Sequence, residues 1–237
     1  IWNLPKPPSF SVALAGDMHA TPRLIAEVKH RSPSKGILCP DFDHINLAKT
    51  YAQNGVAAIS ILTDEKYFGG SLDYLKEISS LDLGIPLLRK DFVFDPYQVL
   101  EARAAGASAI LLIVAMLSLA QLSELLKLTR ELNMDALVET HTRQEVEEAL
   151  KAGARVIGVN NRDLHTFKVS LDTSIALRPL IPNDLIMVAE SGIRTKEDVS
   201  RLAEANIDAM LIGEGLVTAP DIAAKVREFT SQTRKVL

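Results

Sequence analysis

The sequence predicts an α/β protein: a single closed (β/α)8 barrel of the TIM-barrel class with a short Pro-rich N-terminal lead-in. Three observations predict it. A short apolar run, a loop and a segment of helical periodicity recur eight times from residue 24 to the C-terminus. The apolar runs are hydrophobic at successive positions, as parallel strands buried on both faces should be. Two stretches, EARAAGASAILL and EEALKAGARVIGV, repeat one pattern of helix, glycine and strand. Eight such units in about 215 residues fit a closed barrel, whereas doubly wound sheets usually need fewer strands.

The lead-in comes first. Residues 1–22 hold Pro5, Pro7, Pro8 and Pro22, four of the eleven prolines, so an extended segment should cross one end of the body with one short helix near Phe10 to Leu14. Strands are expected at 24–28, 57–62, 86–89, 109–114, 136–138, 156–159, 186–189 and 209–212. Helices are expected at 43–54, 71–81, 96–105, 118–132, 142–151, 171–178, 195–205 and 220–232. Asp95 before Pro96 reads as an N-cap with proline at the first helical position, and Thr142 to Glu145 has capping-box spacing. Gly55, Gly106 and Gly153 each follow a helical segment, where a left-handed residue is favoured. No linker or low-complexity tract divides the chain, so residues 1–237 are expected to form one domain.

Composition narrows the function classes. At 237 residues and 47% hydrophobic, the chain can bury a large core. Its net charge of -4 and the lack of any basic block argue against a nucleic-acid partner. Cys39 is the sole cysteine, which excludes an internal disulfide and a cysteine metal cluster and suits a reducing cytoplasm. The longest apolar run, 109–117, falls far short of the roughly 20 residues that span a bilayer, so no membrane partner is expected. The N-terminus carries neither a signal-peptide pattern nor a starting Met, which suggests a trimmed or shortened chain. A cytoplasmic monomer is the expectation.

In a barrel the active site lies at the C-terminal ends of the strands. There this sequence places Glu27 and Lys29, the stretch 64–71 with Phe68, Lys90-Asp91-Phe92, Glu139, Asn160-Asn161-Arg162-Asp163, Glu190-Ser191-Gly192 and Gly213-Glu214-Gly215. Glu27 and Lys29 are two residues apart and share a strand face, so alone they read equally as a solvated ion pair or as a site. Set among the polar ends of the other strands, they become one wall of a pocket. In the turn SPSKG that follows, Pro33 fixes φ, Ser32 and Ser34 offer hydroxyls and Gly36 permits a positive φ.

Gly192, Gly213 and Gly215 stand where the last two strands enter loops. Bare backbone N–H groups there can cradle a phosphate, although the glycines could also merely turn the chain. The implied ligand is a phosphorylated small molecule. Glu214 would have to turn its side chain away and offer only its N–H. Lys29, Lys90, Glu27, Glu139 and Glu190 would share one mouth, and opposite charges at 4 Å interact by about 4 kcal/mol at an effective dielectric near 20. That keeps a partly buried lysine protonated as a general acid, while a nearby carboxylate removes a proton later, a set suited to condensation followed by dehydration. Phe68 and Phe92 are either apolar walls for an aromatic ring or loop anchors.

These segments also resemble a known family. IAEVKHRSPSKG at 25–36, TDEKYFGGS at 63–71, LLRKDF at 87–92, LLIVA at 111–115, LVETH at 137–141, GVNNRDL at 158–164, VAESGI at 188–193 and LIGEGL at 211–216 match the indole-3-glycerol phosphate synthase family of tryptophan biosynthesis, and PPSF..AL at 7–14 resembles its lead-in. The resemblance implies a (β/α)8 barrel that closes the ring of 1-(2-carboxyphenylamino)-1-deoxyribulose 5-phosphate with loss of carbon dioxide and water, using no cofactor and no metal. By motif, Lys90 matches the general acid that polarises the substrate carbonyl. Lys29 and Glu139 match a second catalytic lysine and a catalytic glutamate associated with the substrate carboxylate and with dehydration. Glu27, Asn160, Glu190 and Ser191 match residues that order the site and bind hydroxyls, and Arg162 matches one bracing the carboxylate side. Ser32, Gly192, Gly213 and the Glu214 N–H match the phosphate site, while Phe68 and Phe92 match the aromatic pocket. Leu111, in LLIVA, joins the substrate-binding set.

Three departures stand out: an additional N-terminal helix of the family is missing, His30 replaces a commoner Arg or Lys, and Gly215 replaces a commoner Ala or Ser. Two rivals remain beside this expectation. One is another phosphosugar barrel isomerase or a Schiff-base aldolase, which would form a trappable imine at Lys29 or Lys90. The other is a non-catalytic or impaired barrel that only binds a phospho-ligand.

Overall fold

In the computed structural model, which describes residues 1–15, 21–33, 35–163 and 166–231, the eight apolar runs pair through their backbones into one closed parallel sheet. The strands are β1 (Arg23–Val28), β2 (Ala58–Leu62), β3 (Leu87–Lys90), β4 (Ala109–Ile113), β5 (Asp135–Thr140), β6 (Val156–Asn160), β7 (Ile186–Glu190) and β8 (Ala209–Ile212). Each strand pairs with its sequence neighbours, and β1 closes the ring by pairing with both β2 and β8. After the strands come α1 (His44–Gln53), α2 (Leu72–Ser79), α3 (Pro96–Ala104), α4 (Leu119–Glu131), α5 (Arg143–Ala152), α6 (Asp172–Leu177), α7 (Lys196–Glu204) and α8 (Ile222–Thr230).

Alternation along the strands makes two cores. Outward residues such as Ala26, Ile59, Leu112, Val138, Ile157 and Met210 pack beneath the helices. Inward residues such as Ile25, Leu88, Leu111, Leu137, Val188 and Leu211 fill the barrel, where they meet Phe10 and Leu14. Those two come from the short helix Phe10–Leu14 in the lead-in and are fully buried. The backbone N–H of Ser11 donates to Asp135 at 2.8 Å, at the start of β5, so the lead-in plugs the barrel end opposite the strand C-termini.

Several boundaries differ from expectation. Strands β3, β5, β6 and β7 run on through Lys90, Thr140, Asn160 and Glu190, because a polar side chain aimed into the barrel leaves the backbone free to pair: Leu62 registers with Lys90, and Asn160 with Glu190. β4 stops at Ile113 and tightens into a 3-10 turn, Val114–Met116. α6 gives way to the 3-10 turn Arg178–Leu180 at Pro179. Two short elements lie outside the expected strands and helices, the hairpin Arg31–Ser32 with Gly36–Ile37 and the helix Glu65–Phe68, while the helix Glu214–Val217 is the short helix expected at the β8 glycines. Residues 16–20 of the lead-in, the Ser34 hydroxyl, Leu164 of the GVNNRDL motif and the expected end of the last helix at 232 lie outside the described residues.

The caps follow the local sequence. Asp95 makes a full capping box with Gln98 at the start of α3. Thr142 caps Glu145 N–H, but the Glu145 carboxylate turns instead to His141, accepting from its backbone N–H at 2.7 Å. Gly55, Gly106 and Gly153 all take positive φ after helices, as expected. Asn133 and Asn206 do the same after α4 and α7, using the tolerance of asparagine for that region.

Candidate active site

The inward register builds the site. Stepping by two from Ile25 reaches Glu27, from Leu88 reaches Lys90, from Leu137 reaches Glu139, from Val188 reaches Glu190, and from Leu211 reaches Gly213. The apolar filling therefore carries a polar layer on its C-terminal side. Above it opens a cavity of about 320 Å³, lined by all fifteen residues singled out from sequence: Glu27, Lys29, Ser32, Phe68, Lys90, Phe92, Leu111, Glu139, Asn160, Arg162, Glu190, Ser191, Gly192, Gly213 and Glu214.

Charge pairing is tight at the base. Lys29 Nζ lies 3.2 Å from Glu27 Oε2. Lys90 Nζ lies 3.6 Å from Glu190 and 3.8 Å from Glu139, with both carboxylates buried. Burial alone would push the Lys90 ammonium towards losing its proton, but Glu190, Glu139 and Glu27 outweigh it and hold the lysine above its ordinary value. The two carboxylates diverge. Burial pushes both up; at Glu139 the His141 ring 3.4 Å away and the Lys90 charge prevail and bring it below the usual range. At Glu190 burial and the neighbouring Glu139 charge prevail, and its carboxyl is held up. Beside one lysine, therefore, stand two carboxyls whose proton affinities are pushed in opposite directions.

Space is set by two glycines. A Cβ at Gly158, next to Glu139 in register, would run into Glu190 Oε1, and a Cβ at Gly213 would run into Glu27 Oε2. Neither Glu190 oxygen makes a hydrogen bond among the described residues, leaving the carboxyl ready for a ligand hydroxyl.

On the β7–β8 side, Gly192 takes φ +84°, Ser191 is held at φ +67°, and Gly213 begins the helix Glu214–Val217. The buried Ser32 hydroxyl faces the same cavity with no hydrogen-bond partner among the described residues. The Glu214 carboxylate pairs with Lys35 at 2.5 Å and Arg194 at 3.7 Å, which draws its charge away from the backbone there. On the aromatic side, the Phe68 and Phe92 ring centroids are 6.4 Å apart, and Lys29 Nζ sits 5.4 Å from the Phe68 centroid. Arg31 fixes the Phe68 helix by donating to the Glu65 and Lys66 carbonyls.

Some residues of the candidate loops serve as scaffold. Asn161 is buried behind the cavity, donating to the Ser191 carbonyl and accepting from Ser174. Arg89 points outward from β3, bonds Thr63 and pairs with Asp91 and Glu101, propping the turn that carries Phe92. A charge within an apolar strand was its visible signal. Met116, Phe167, Val169 and Arg194 also line the cavity, and nothing in their local sequence marks them. Nor does the sequence mark a role for His141: its Nε2 stands 3.4 Å from Glu139, and the carboxylates of Glu139 and Glu145 overcome its burial and raise it to about 9. No three His, Cys, Asp or Glu side chains converge into a metal site, and no helix is long and apolar enough to cross a membrane, among the described residues.

These shifts set a stability profile. The raised His141 and Glu190 groups hold protons that the unfolded chain releases earlier, so folding binds protons as pH rises from the ordinary carboxylate range to about 9. Their contribution is fully present below the unfolded values and is lost as pH rises through the folded ones. Glu139 has the opposite sign, contributing above the ordinary carboxylate value and losing that contribution only in strong acid. Urea midpoints are therefore expected to fall between about pH 6 and about pH 9, and less steeply in Glu190→Gln. A midpoint rising over that interval would contradict the proton assignment.

The indole-3-glycerol phosphate synthase family profile matches residues 3–229. The chain is similar to an indole-3-glycerol phosphate synthase of Dehalococcoides mccartyi, 60% identical over 209 residues that cover 87% of this chain and 81% of the relative. An enzyme of the same name from Roseiflexus castenholzii is 53% identical over 232 residues, covering 95% of this chain and 86% of the relative. Among solved structures, 3-hexulose-6-phosphate synthase from Salmonella typhimurium superposes with TM-score 0.72 at 14% identity, covering 88% of this chain and 97% of that one. Thiamine phosphate pyrophosphorylase from Pyrococcus furiosus gives TM-score 0.67 at 16% identity over 88% and 94% of the two chains. At such identities the structural likeness concerns the barrel alone.

Proposed function

The chain belongs to the indole-3-glycerol phosphate synthase family, carboxy-lyases of tryptophan biosynthesis, and from that premise we propose how its barrel mouth divides the chemistry. The substrate is 1-(2-carboxyphenylamino)-1-deoxyribulose 5-phosphate, the product indole-3-glycerol phosphate. Its phosphate lies against Ser32 and the backbone of Gly192, Gly213 and Glu214, and its aromatic ring between Phe68 and Phe92. Arg162 and Lys29 face the ring carboxylate, and Leu111 supports the ring from the barrel interior.

Lys90 donates a proton to the ketone oxygen as the ring carbon bearing the carboxylate attacks the ketone carbon. The bond to the carboxylate then breaks, carbon dioxide leaves, and its electron pair restores the aromatic ring. In the last step the new hydroxyl departs as water with a proton supplied from Lys29, while Glu139 takes the proton from the adjacent CH2 carbon. Glu190 and Asn160 orient the substrate hydroxyls and Glu139, with Ser191 and Glu27 shaping the two sides.

One observation carries this proposal: a half-buried lysine, Lys90, lies within 3.8 Å of two buried carboxylates whose proton affinities are driven apart. It also disfavours a Schiff-base aldolase, because a lysine held protonated is a poor nucleophile. A monomer is proposed because one chain supplies every wall of the cavity. A cytoplasmic setting is proposed from the single free cysteine. The test is to incubate folded protein with the substrate and follow indole fluorescence. Fluorescence should appear without added metal or cofactor, with no borohydride-trapped adduct on Lys90. Silence from well-folded protein, or a trapped imine, would overturn the proposal.

A further inference from the structure

We propose that His141 is a positioning residue for Glu139: clamped between two carboxylates at the back of the site, its ring keeps Glu139 ionised and aimed at the substrate. This inference rests on Glu139 acting as the base of the dehydration step.

His141 lies outside the substrate cavity and acts from behind it. Nε2 is 3.4 Å from Glu139 Oε1, and Nδ1 is 3.0 Å from Glu145 Oε2. The His141 backbone N–H also donates to Glu145 Oε2 at 2.7 Å, so one carboxylate fixes both main chain and ring. With a carboxylate at each nitrogen the ring is best satisfied as imidazolium, both nitrogens donating. Glu145 sits in the first turn of α5, where the helix N-terminus favours negative charge. Its diversion from the capping box to His141 is explained by this arrangement.

Every element around the ring contributes. Glu139 faces it from β5 and Glu145 from α5, while Asn160 on β6 donates to the same Glu139 oxygen at 3.2 Å. Lys90 lies beyond Glu139, at 3.8 Å from the other oxygen. Behind the ring is a second cavity, of about 350 Å³, that His141 and Glu145 line together with Asp163 and Lys168. Glu139 is thus held between two cations, the substrate-side lysine and the rear imidazolium. Without the rear cation, burial favours its protonated form, and Glu139 would compete with Glu190 for the role of neutral acid.

The experiment compares His141→Gln, Glu145→Gln and Glu139→Gln in the full chain, measuring kcat and KM from about pH 3 to about pH 10, and follows the His141 ring by NMR titration. His141→Gln is expected to lower kcat about tenfold or more near neutrality with little change in KM, and to shift the acidic limb of kcat upward because Glu139 then ionises at higher pH. Glu145→Gln should shift that limb the same way by less, and lower the pH at which the His141 ring titrates. Glu139→Gln should abolish turnover and also lower the His141 titration. An acidic limb that stays in place in both His141→Gln and Glu145→Gln, or an effect confined to KM, overturns the inference while Glu139→Gln remains inactive. A fully active Glu139→Gln overturns the base assignment itself, and the inference with it. Should His141→Gln fail to fold, Glu145→Gln with its NMR titration decides the question.

Discussion

Lys90→Ala is expected to lower turnover by roughly 10² to 10⁴ with KM nearly unchanged. The ammonium donates its proton as the carbonyl oxygen gains charge, an interaction that grows in the transition state, so its loss falls on kcat. Its two buried neighbours make a second consequence. Burial and the Glu139 charge raise the Glu190 carboxyl, so removing the lysine leaves Glu139 as the more strongly ionised of the two, with His141 as its remaining cation. Breaking a buried ion pair on one side costs about 3–5 kcal/mol, and the raised proton affinity of Glu190 should keep the loss towards the lower end. Urea denaturation should therefore show a penalty that grows as pH rises and Glu190 ionises. A rise in KM alone would reassign Lys90 to binding.

Gly158→Ala is the second large effect, and its size is out of proportion to one methyl group. The added Cβ would collide with Glu190 Oε1 and come within 3.2 Å of Leu137 Cδ1, both inside the barrel. β6 is hydrogen-bonded on both sides, so the backbone cannot retreat. The Glu190 carboxyl must swing off Lys90, which also removes the carboxyl proposed to orient substrate hydroxyls. Overpacking of this kind costs about 1–3 kcal/mol. The variant should fold with a lower melting temperature and lose about tenfold or more in kcat/KM. Retention of full activity would show that Glu190 need not stand where it does.

The fold was legible because strand and helix periods are written into the sequence, and because Asp95, Thr142 and the positive-φ glycines mark helix ends locally. The charged layer was legible for the same reason: Glu27 two residues after Ile25, and Lys90 two after Leu88, must share the inner face. What escaped depends on neighbours rather than on position along the chain. Gly158 looks like strand filler until Glu190, 32 residues later, is placed against it. His141 follows a recognised glutamate by two residues, yet its importance comes from where α5 puts Glu145. Met116, Phe167 and Val169 reach the cavity through loops whose paths no periodicity dictates. An apolar run ends before Lys90, Glu139 and Glu190, yet the strands continue through them, because only their side chains depart from apolar company.

The helix Phe10–Leu14 imposes an order on assembly. Its plug residues seat among side chains from most of the strands, and Ser11 is tied to Asp135, which lies 124 residues later in the chain. Loop closure over such a span is entropically costly and contributes to slow folding. The Ser11–Asp135 contact can form only after β5 is present in the chain. The floor of the barrel therefore joins the two ends of the fold's sequence span: its plug residues are fully packed only when strands far along the chain stand around them.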